Sequence, residues 1–321
     1  MADKEETDYL YKQADLMRKE KMGDEIYLRG IVEFSNYCVK DCNYCGIRRS
    51  NKQVTRYRLT LEDILTVCKK METVKQTTVV LQSGEDSYYT KEKMGDIISA
   101  IRSETSLAIT VSSGERDIET YAYWKAKGMD RYLLRFETSS PDLFAVCHPD
   151  DDLDYRLRCL ANLKMLGVQT GSGFLIGLPK ETLAQLSADI LFATSLELDM
   201  IGVGPFIAHE STPFKGAPLA YNRELYFRVI AILRLLNPKA HIPATTAFDA
   251  LLPEGRDLLL ARGANVFMPN MTPQPFRQYY QLYPGKPCLD EDGDDCAFCI
   301  LGRINRLGRK VGNDAGHSKR I

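Results

Sequence analysis

Three cysteines carry the densest chemistry in the chain: Cys38-Val-Lys-Asp-Cys42-Asn-Tyr-Cys45. Thiolates are soft ligands, and no histidine stands nearby to suggest a mixed set. A structural zinc ion wants four protein ligands, so a zinc reading needs a distant fourth donor. A [4Fe–4S] cluster held by three cysteines leaves one iron open to a small molecule, and that reading fits three thiolates without a fourth. A second group, Cys288, Cys296 and Cys299, has spacings of seven and two. It suits an auxiliary iron–sulfur site, with a zinc site completed by His317 as its rival. Cys68, Cys147 and Cys159 stand alone and read as small buried thiols. Gly171-Ser-Gly173-Phe-Leu-Ile-Gly177 imitates a dinucleotide fingerprint. Its spacing is wrong and its glycines lie within a strand instead of after one.

The elements that must position these groups alternate. Apolar or β-branched runs recur at Tyr27–Phe34, Thr77–Leu81, Ala108–Ser112, Arg131–Phe136, Thr170–Ile176, Met200–Phe206, Ile242–Thr246 and Asn265–Met268. Helical patterns separate them, several ending at glycine, as at Gly128, Gly167 and Gly263. Strands alternating with helices imply parallel βαβ units. Eight such units without a break in composition predict an α/β fold, a (β/α)8 TIM-type barrel. The expected division is an N-terminal helix in 1–24, the barrel in 25–286 and a cysteine-bearing extension in 287–321. The basic end, Arg303 to Arg320, reads as a solvated tail.

The first cysteine group follows the first strand, on the face where barrels place their chemistry. Strand alternation puts Arg131, Leu133, Arg135 and Glu137 on one face of the fourth strand, and Tyr132, Leu134 and Phe136 on the other. The second face must meet helices. The first points inward and predicts a polar cavity with buried arginines. Arg131 would lie ~13 Å deeper than Arg135, at ~3.3 Å per residue. Its partner is either an anionic ligand or an interior carboxylate such as Glu33.

Composition removes other classes. Lys plus Arg is 42 against 43 for Asp plus Glu, so nothing favours nucleic-acid binding. No apolar run is long enough to span a membrane. The opening Met-Ala-Asp-Lys-Glu-Glu is unlike a secretory signal. Nine cysteines then point to a reducing, cytoplasmic setting.

Cys-x3-Cys-x-aromatic-Cys, with Tyr44 as the aromatic residue, resembles the signature of the radical S-adenosylmethionine superfamily. Gln82-Ser83-Gly84-Glu85-Asp86 resembles the superfamily's Gly-Gly-Glu turn after strand 2, with Ser83 replacing the first glycine. Seven further segments are similar to the HydE-type maturases of [FeFe]-hydrogenase, in the biotin synthase-like group. They are Arg48-Arg-Ser-Asn-Lys52, Leu81–Asp86, Arg131–Thr138, Val203-Gly-Pro-Phe206, Ile242–Ala247, Met268-Pro-Asn270 and Tyr283-Pro-Gly-Lys286. Biotin synthase ligates a second cluster with strand cysteines, and these strands carry none.

The resemblance implies that Cys38, Cys42 and Cys45 hold a catalytic [4Fe–4S] cluster. S-Adenosylmethionine, cleaved to a 5′-deoxyadenosyl radical, would lie among Tyr44, Gln82, Ser83, Gly84, Glu85, Arg135, Glu137, Arg156 and Met200. The substrate would be an iron complex with carbonyl, cyanide and cysteine ligands, facing Thr110, Arg131, Thr245, Thr246, Met268, Tyr280 and Tyr283. Cys288, Cys296 and Cys299 resemble an auxiliary [2Fe–2S] or [4Fe–4S] site. The implied partners are an electron donor and the other hydrogenase maturation proteins, with no nucleic acid and no membrane. Two readings stand beside this one: a radical enzyme acting on a small amino acid, as in methylornithine synthase, and an iron–sulfur scaffold without turnover.

Overall fold

The computed structural model describes residues 3–74, 76–287, 289 and 293–320, with only the backbone given for 293–298. Helix α1 (Lys4–Met22) leads into a first stave broken at Arg29 into β1 (Glu25–Leu28) and β2 (Gly30–Ser35). Then come α2 (Leu61–Thr73), β3 (Thr78–Ser83), α3 (Lys91–Glu104), β4 (Ala108–Ser112), α4 (Ile118–Ala126) and β5 (Arg131–Leu133). Two helices follow, α5 (Pro141–Cys147) and α6 (Leu153–Met165). The next two staves are each split in two, β6 (Gln169–Ser172) with β7 (Leu175–Ile176), then, after α7 (Leu183–Ser195), β8 (Met200–Ile201) with β9 (Gly204–Pro205). The barrel ends with α8 (Arg223–Leu236), β10 (Pro243–Ala244), α9 (Ala247–Leu251), α10 (Gly255–Leu260) and β11 (Val266–Phe267). Beyond it lie α11 (Gln274–Arg277), α12 (Gly293–Arg306) and β12 (Lys310–Val311).

Among the described residues all strand pairs are parallel, in the orders β2-β3-β4-β5-β6-β8 and β10-β11-β1-β12, with β7 paired to β9. Bridges at Met200–His241 and Ile31–Asn270 join these two sheets, so the eight staves close into a barrel. Helix starts follow their side chains. Thr60, Thr90, Asp117, Ser140, Asp152, Thr182 and Asn222 each accept from a backbone N–H of the first turn, which satisfies donors that a helix start leaves open. The outer strand faces meet the helices as alternation requires. Tyr132 packs on Tyr121 and Trp124 of α4, and Phe136 on Phe192 of α7.

The chain end departs from the expected solvated tail. β12 pairs with β1, and residues 312–318 lie across the N-terminal mouth of the barrel. Thr77 and Thr78 donate to the carbonyls of Asp314 and Ala315, and Arg29 to that of Gly316. The end of the extension that follows residue 286 therefore packs onto the barrel. Basic residues are spent on backbone: Arg309 is buried and donates to the carbonyls of Asp24, Glu25, Leu260 and Ala264. Helix α12 is tied down by Arg303, which pairs with Asp249 and Asp257.

Candidate active site

After β2 the chain runs over the C-terminal mouth of the barrel, and Cys38, Cys42 and Cys45 all line the cavity there. Two side chains shape this loop. Asp41 accepts from Arg48 Nε at 2.7 Å and from the Ser50 N–H and hydroxyl at 2.9 and 2.6 Å. Burial opposes its ionisation, but those bonds hold the carboxyl well below the usual carboxylate range. Arg56 donates to the carbonyls of Ile47, Arg48 and Asn51 at 2.7–3.1 Å and also to that of Asn36.

Burial pushes the Cys45 thiol up to about 12, and the neighbouring Cys38 adds to it. Burial raises Cys42 well above the ordinary thiol range, with Cys45 and Cys38 raising it further. Three thiolates so close need a cationic centre among them. Among the described residues no three His, Cys, Asp or Glu side chains converge on a single ion. A donor set of three soft sulfurs around open space fits a multi-iron cluster.

The turn after β3 braces this loop. The Glu85 N–H points at Cys38 Sγ over 3.4 Å, and the Glu85 carbonyl accepts from the Val39 N–H at 2.9 Å. Gly84 permits the approach: a Cβ there would stand 2.2 Å from the Tyr37 oxygen and 2.8 Å from Cys38 Cβ. Ser83, in the place of the expected glycine, turns its hydroxyl to the Gly84 carbonyl at 2.6 Å and leaves the backbone path intact. Asp86 ties the turn to the loop's far end through Arg58 at 2.7 and 3.0 Å.

Leu133, Arg135 and Glu137 line the cavity, as alternation requires. Arg135 donates to the Phe174 carbonyl at 2.6 Å and lies 3.0 Å from Glu137. Glu137 has φ 67°, a left-handed backbone that a non-glycine residue adopts at some cost. Arg156 reaches in from α6, donates to the Arg135 carbonyl and pairs with Glu115 and Asp151. Lys40 joins the same carboxylates at 2.9 and 2.7 Å. Burial works against the Asp151 anion, yet Arg156 and Lys40 hold it down at about 2.

Thr245, Thr246, Met268, Tyr280 and Tyr283 line the same cavity, and Gln82 Nε2 lies 3.4 Å from the Tyr280 hydroxyl. Thr246 and Tyr283 share a hydrogen bond of 2.7 Å, and Thr245 donates to the Val203 carbonyl. Burial pushes the Tyr283 phenol up to about 12, so it keeps its proton at neutral pH. The open space is about 350 Å³, within the ~300–1,000 Å³ of small-molecule sites.

Three expected site residues lie elsewhere. Arg131, Thr110 and Met200 do not line the cavity; Arg131 and Met200 begin β5 and β8 at the opposite end, and Thr110, in the middle of β4, is paired with Arg131. Arg131 donates to the Ala315 carbonyl at 2.6 Å and contacts His317 Nδ1 at 3.1 Å, so the chain end itself is its partner. Glu33, the carboxylate weighed as that partner, pairs with Lys286 instead. Met200 lies 2.7 Å from Arg29 at the same foot. The Thr110 hydroxyl is buried, with no hydrogen-bond partner among the described residues. Alternation puts Arg131 on the same face as Arg135 but says nothing about how high the floor stands.

The structure adds residues that the sequence reading did not name as ligand contacts. Lys286 and Glu33 form a buried pair in the cavity wall, with Asn270 donating to Glu33 at 3.3 Å. Lys286 belongs to the Tyr283–Lys286 segment, and Glu33 lies on the inward face of the first strand; those were the available signals. Lys40, Ser112, His148 and Arg256 also line the cavity. Cys68, Cys147 and Cys159 are buried, as read. Of the second group, Cys288 and the side chain of Cys296 lie outside the described residues, and Cys299 is exposed. His317 Nδ1 lies at the foot of the barrel, 3.1 Å from Arg131 and 2.8 Å from Gln169.

The comparisons with known proteins agree with this geometry. Residues 32–193 match the model of the radical SAM superfamily. The [FeFe] hydrogenase maturase subunit HydE of Thermotoga maritima is 46% identical over 97% of this chain and 89% of that protein. The 3-methylornithine synthase of Methanosarcina barkeri is 29% identical over 82% of this chain and 74% of its own. The crystal structure of a methylornithine synthase superposes with a TM-score of 0.83 at 25% identity, covering 97% of this chain and 91% of that one. The second cysteine group apart, the cysteine loop, the Ser-Gly-Glu turn and the polar wall thus occur together on one barrel, and the chain belongs to the radical S-adenosylmethionine superfamily and, within it, to the HydE family of hydrogenase maturases.

Proposed function

We propose that this enzyme cleaves S-adenosylmethionine reductively and directs the radical at a small iron complex carrying carbonyl, cyanide and cysteine ligands. One observation carries the reading: the three cysteines and the wall of Thr245, Thr246, Met268, Tyr280 and Tyr283 open into one cavity. When bound, a [4Fe–4S] cluster supplies the single electron that breaks the sulfonium bond. The chain's own groups do the rest. Cys38, Cys42 and Cys45 would hold that cluster through their three sulfurs. The Ser83–Glu85 turn, Arg135 and Glu137 offer carbonyls, a cation and a carboxylate to the amino-acid and ribose ends of the cosubstrate. Tyr44 and Gln82 border the same space, and Arg156 fixes the Arg135 backbone from behind.

The part of the cavity lined by Tyr280, Tyr283 and Lys286 suits a ligand with several acceptor atoms. Tyr280 and Tyr283 are protonated donors, and Lys286 adds a cation already balanced by Glu33. An electron donor and the other hydrogenase maturation proteins are the partners this reading requires, in a reducing cytoplasm. No helix of the described residues is long and apolar enough to cross a membrane. The test is anaerobic turnover of the reconstituted protein with the synthetic iron complex. Consumption of the complex that depends on S-adenosylmethionine is expected. Cofactor cleavage that leaves the complex untouched, while a small amino acid is rearranged, would give the site to the second substrate class.

The auxiliary site has a separate expectation. Cys299 is exposed and lies on α12, outside the cavity lining. The variant Cys296→Ser/Cys299→Ser should lose the iron bound beyond the first cluster and keep more than about half of the cleavage rate, a change of under ~0.5 kcal/mol in barrier. Iron analysis beside product formation checks this; complete loss of cleavage with the first cluster present would make the second group essential.

A further inference from the structure

His148 has no part in the account so far. It caps the C-terminal end of α5 and is 2% exposed. Its ring stacks on Phe144, with centroids 4.4 Å apart and planes 10° from parallel. Both ring nitrogens face the cysteine loop, more than a hundred residues earlier in the chain. Nδ1 lies 3.3 Å from Cys42 Sγ, and Nε2 lies 3.1 Å from the Tyr44 hydroxyl. The nearest carboxylate oxygen, on Asp151, is 3.7 Å from Nδ1 and is already engaged by Arg156, while the other Asp151 oxygen binds Lys40. The ring therefore bridges a cysteine and the motif's aromatic residue, and the Phe144 stack holds its orientation.

We propose that His148 is a positioning residue that donates an Nδ1–H hydrogen bond to the Cys42 sulfur and thereby sets the cluster's reduction potential. This rests on the reading that Cys38, Cys42 and Cys45 hold a [4Fe–4S] cluster. A ligating thiolate has lone pairs and no proton, so it can only accept. Nδ1 must then carry the hydrogen in either protonation state of the ring. Tyr44 completes the arrangement by occupying Nε2, as outer partners fix the tautomer of functional imidazoles. A hydrogen bond to a ligand sulfur draws charge off the cluster. The one-electron-reduced form carries more negative charge and is stabilised more, so the bond raises the potential.

The test compares reconstituted wild type, His148→Phe and His148→Asn by redox titration, with the reduced cluster followed by electron paramagnetic resonance. His148→Phe keeps the stack and removes both nitrogens. At the wild-type midpoint its reduced-to-oxidised ratio should fall about tenfold, a shift of ~59 mV to lower potential for one electron. His148→Asn places an amide N–H near the Nδ1 position and should restore most of that shift. Equal potentials in wild type and His148→Phe would overturn the proposal, as would an Asn variant shifted as far as the Phe variant. If His148→Phe fails to load a cluster, wild type grown on 15N-histidine decides. Pulsed resonance should show a 15N coupling to the reduced cluster, and its absence overturns the hydrogen bond. A wild-type protein that binds no [4Fe–4S] cluster at all would instead sink the reading of the three cysteines, and this inference with it.

Discussion

Cys42→Ala should leave a folded barrel that no longer holds a [4Fe–4S] cluster and forms no 5′-deoxyadenosine above the unreconstituted background. A cluster held there would have three protein ligands and no spare: among the described residues Cys68 and Cys159 are buried on α2 and α6, and Cys147 is buried in an apolar cluster with Leu143, Leu178 and Phe206. The loop itself should survive. Its shape depends on Asp41, Arg48 and Arg56 and on the Gly84 turn, none of which uses the cysteine sulfur. Removing one half-buried sulfur costs about 1 kcal/mol of stability, too little to unfold the chain. Iron and sulfide analysis, the visible spectrum and product chromatography on one preparation check this together. A variant that cleaves S-adenosylmethionine at the wild-type rate would mean the three thiols are not the cluster site.

Deleting Lys310–Ile321 should lower the melting temperature by about 10 °C, although the deleted segment is remote from the cavity. The deletion removes β12 and the partners of Thr77, Thr78, Arg29, Arg131 and His241. It also uncovers Tyr27, against which Gly312 and Gly316 pack. Buried donors left without acceptors cost ~1–3 kcal/mol each. Water entering the opened mouth recovers part of that, which leaves a loss of about 3–6 kcal/mol and ~2–4 °C for each. Calorimetry of the two chains decides. A melting point within roughly 2 °C of the full chain would return the segment to the status of a solvated tail.

The contrast between these two predictions shows what the sequence makes legible. The cysteine loop could be read because three cysteines at fixed spacing, followed by the Ser83–Glu85 turn, have few alternative explanations. The barrel could be read because each stave repeats one pattern, and the inward placing of Leu133, Arg135 and Glu137 follows from alternation alone. Height along the barrel was not legible. Arg131 shares a face with Arg135, but whether it meets ligand or floor depends on residues 312–318, nearly two hundred positions away. The tail misled through composition. Its charges look solvated, yet Arg309 and its neighbours satisfy backbone carbonyls, an interaction that leaves no pattern in sequence. Lys286 and His148 escaped for the same reason, since their partners Glu33 and Cys42 lie on distant segments.

The central claim is that this barrel holds a reducible cluster beside its cosubstrate in one cavity. The most direct measurement is a single-turnover reaction of reconstituted, pre-reduced protein with S-adenosylmethionine, counting 5′-deoxyadenosine and methionine against cluster oxidised. The account predicts the two products in equal amounts, appearing as the reduced-cluster signal is lost. A fully loaded and reduced protein that retains both its cluster signal and intact S-adenosylmethionine would contradict it and leave an iron–sulfur scaffold in its place.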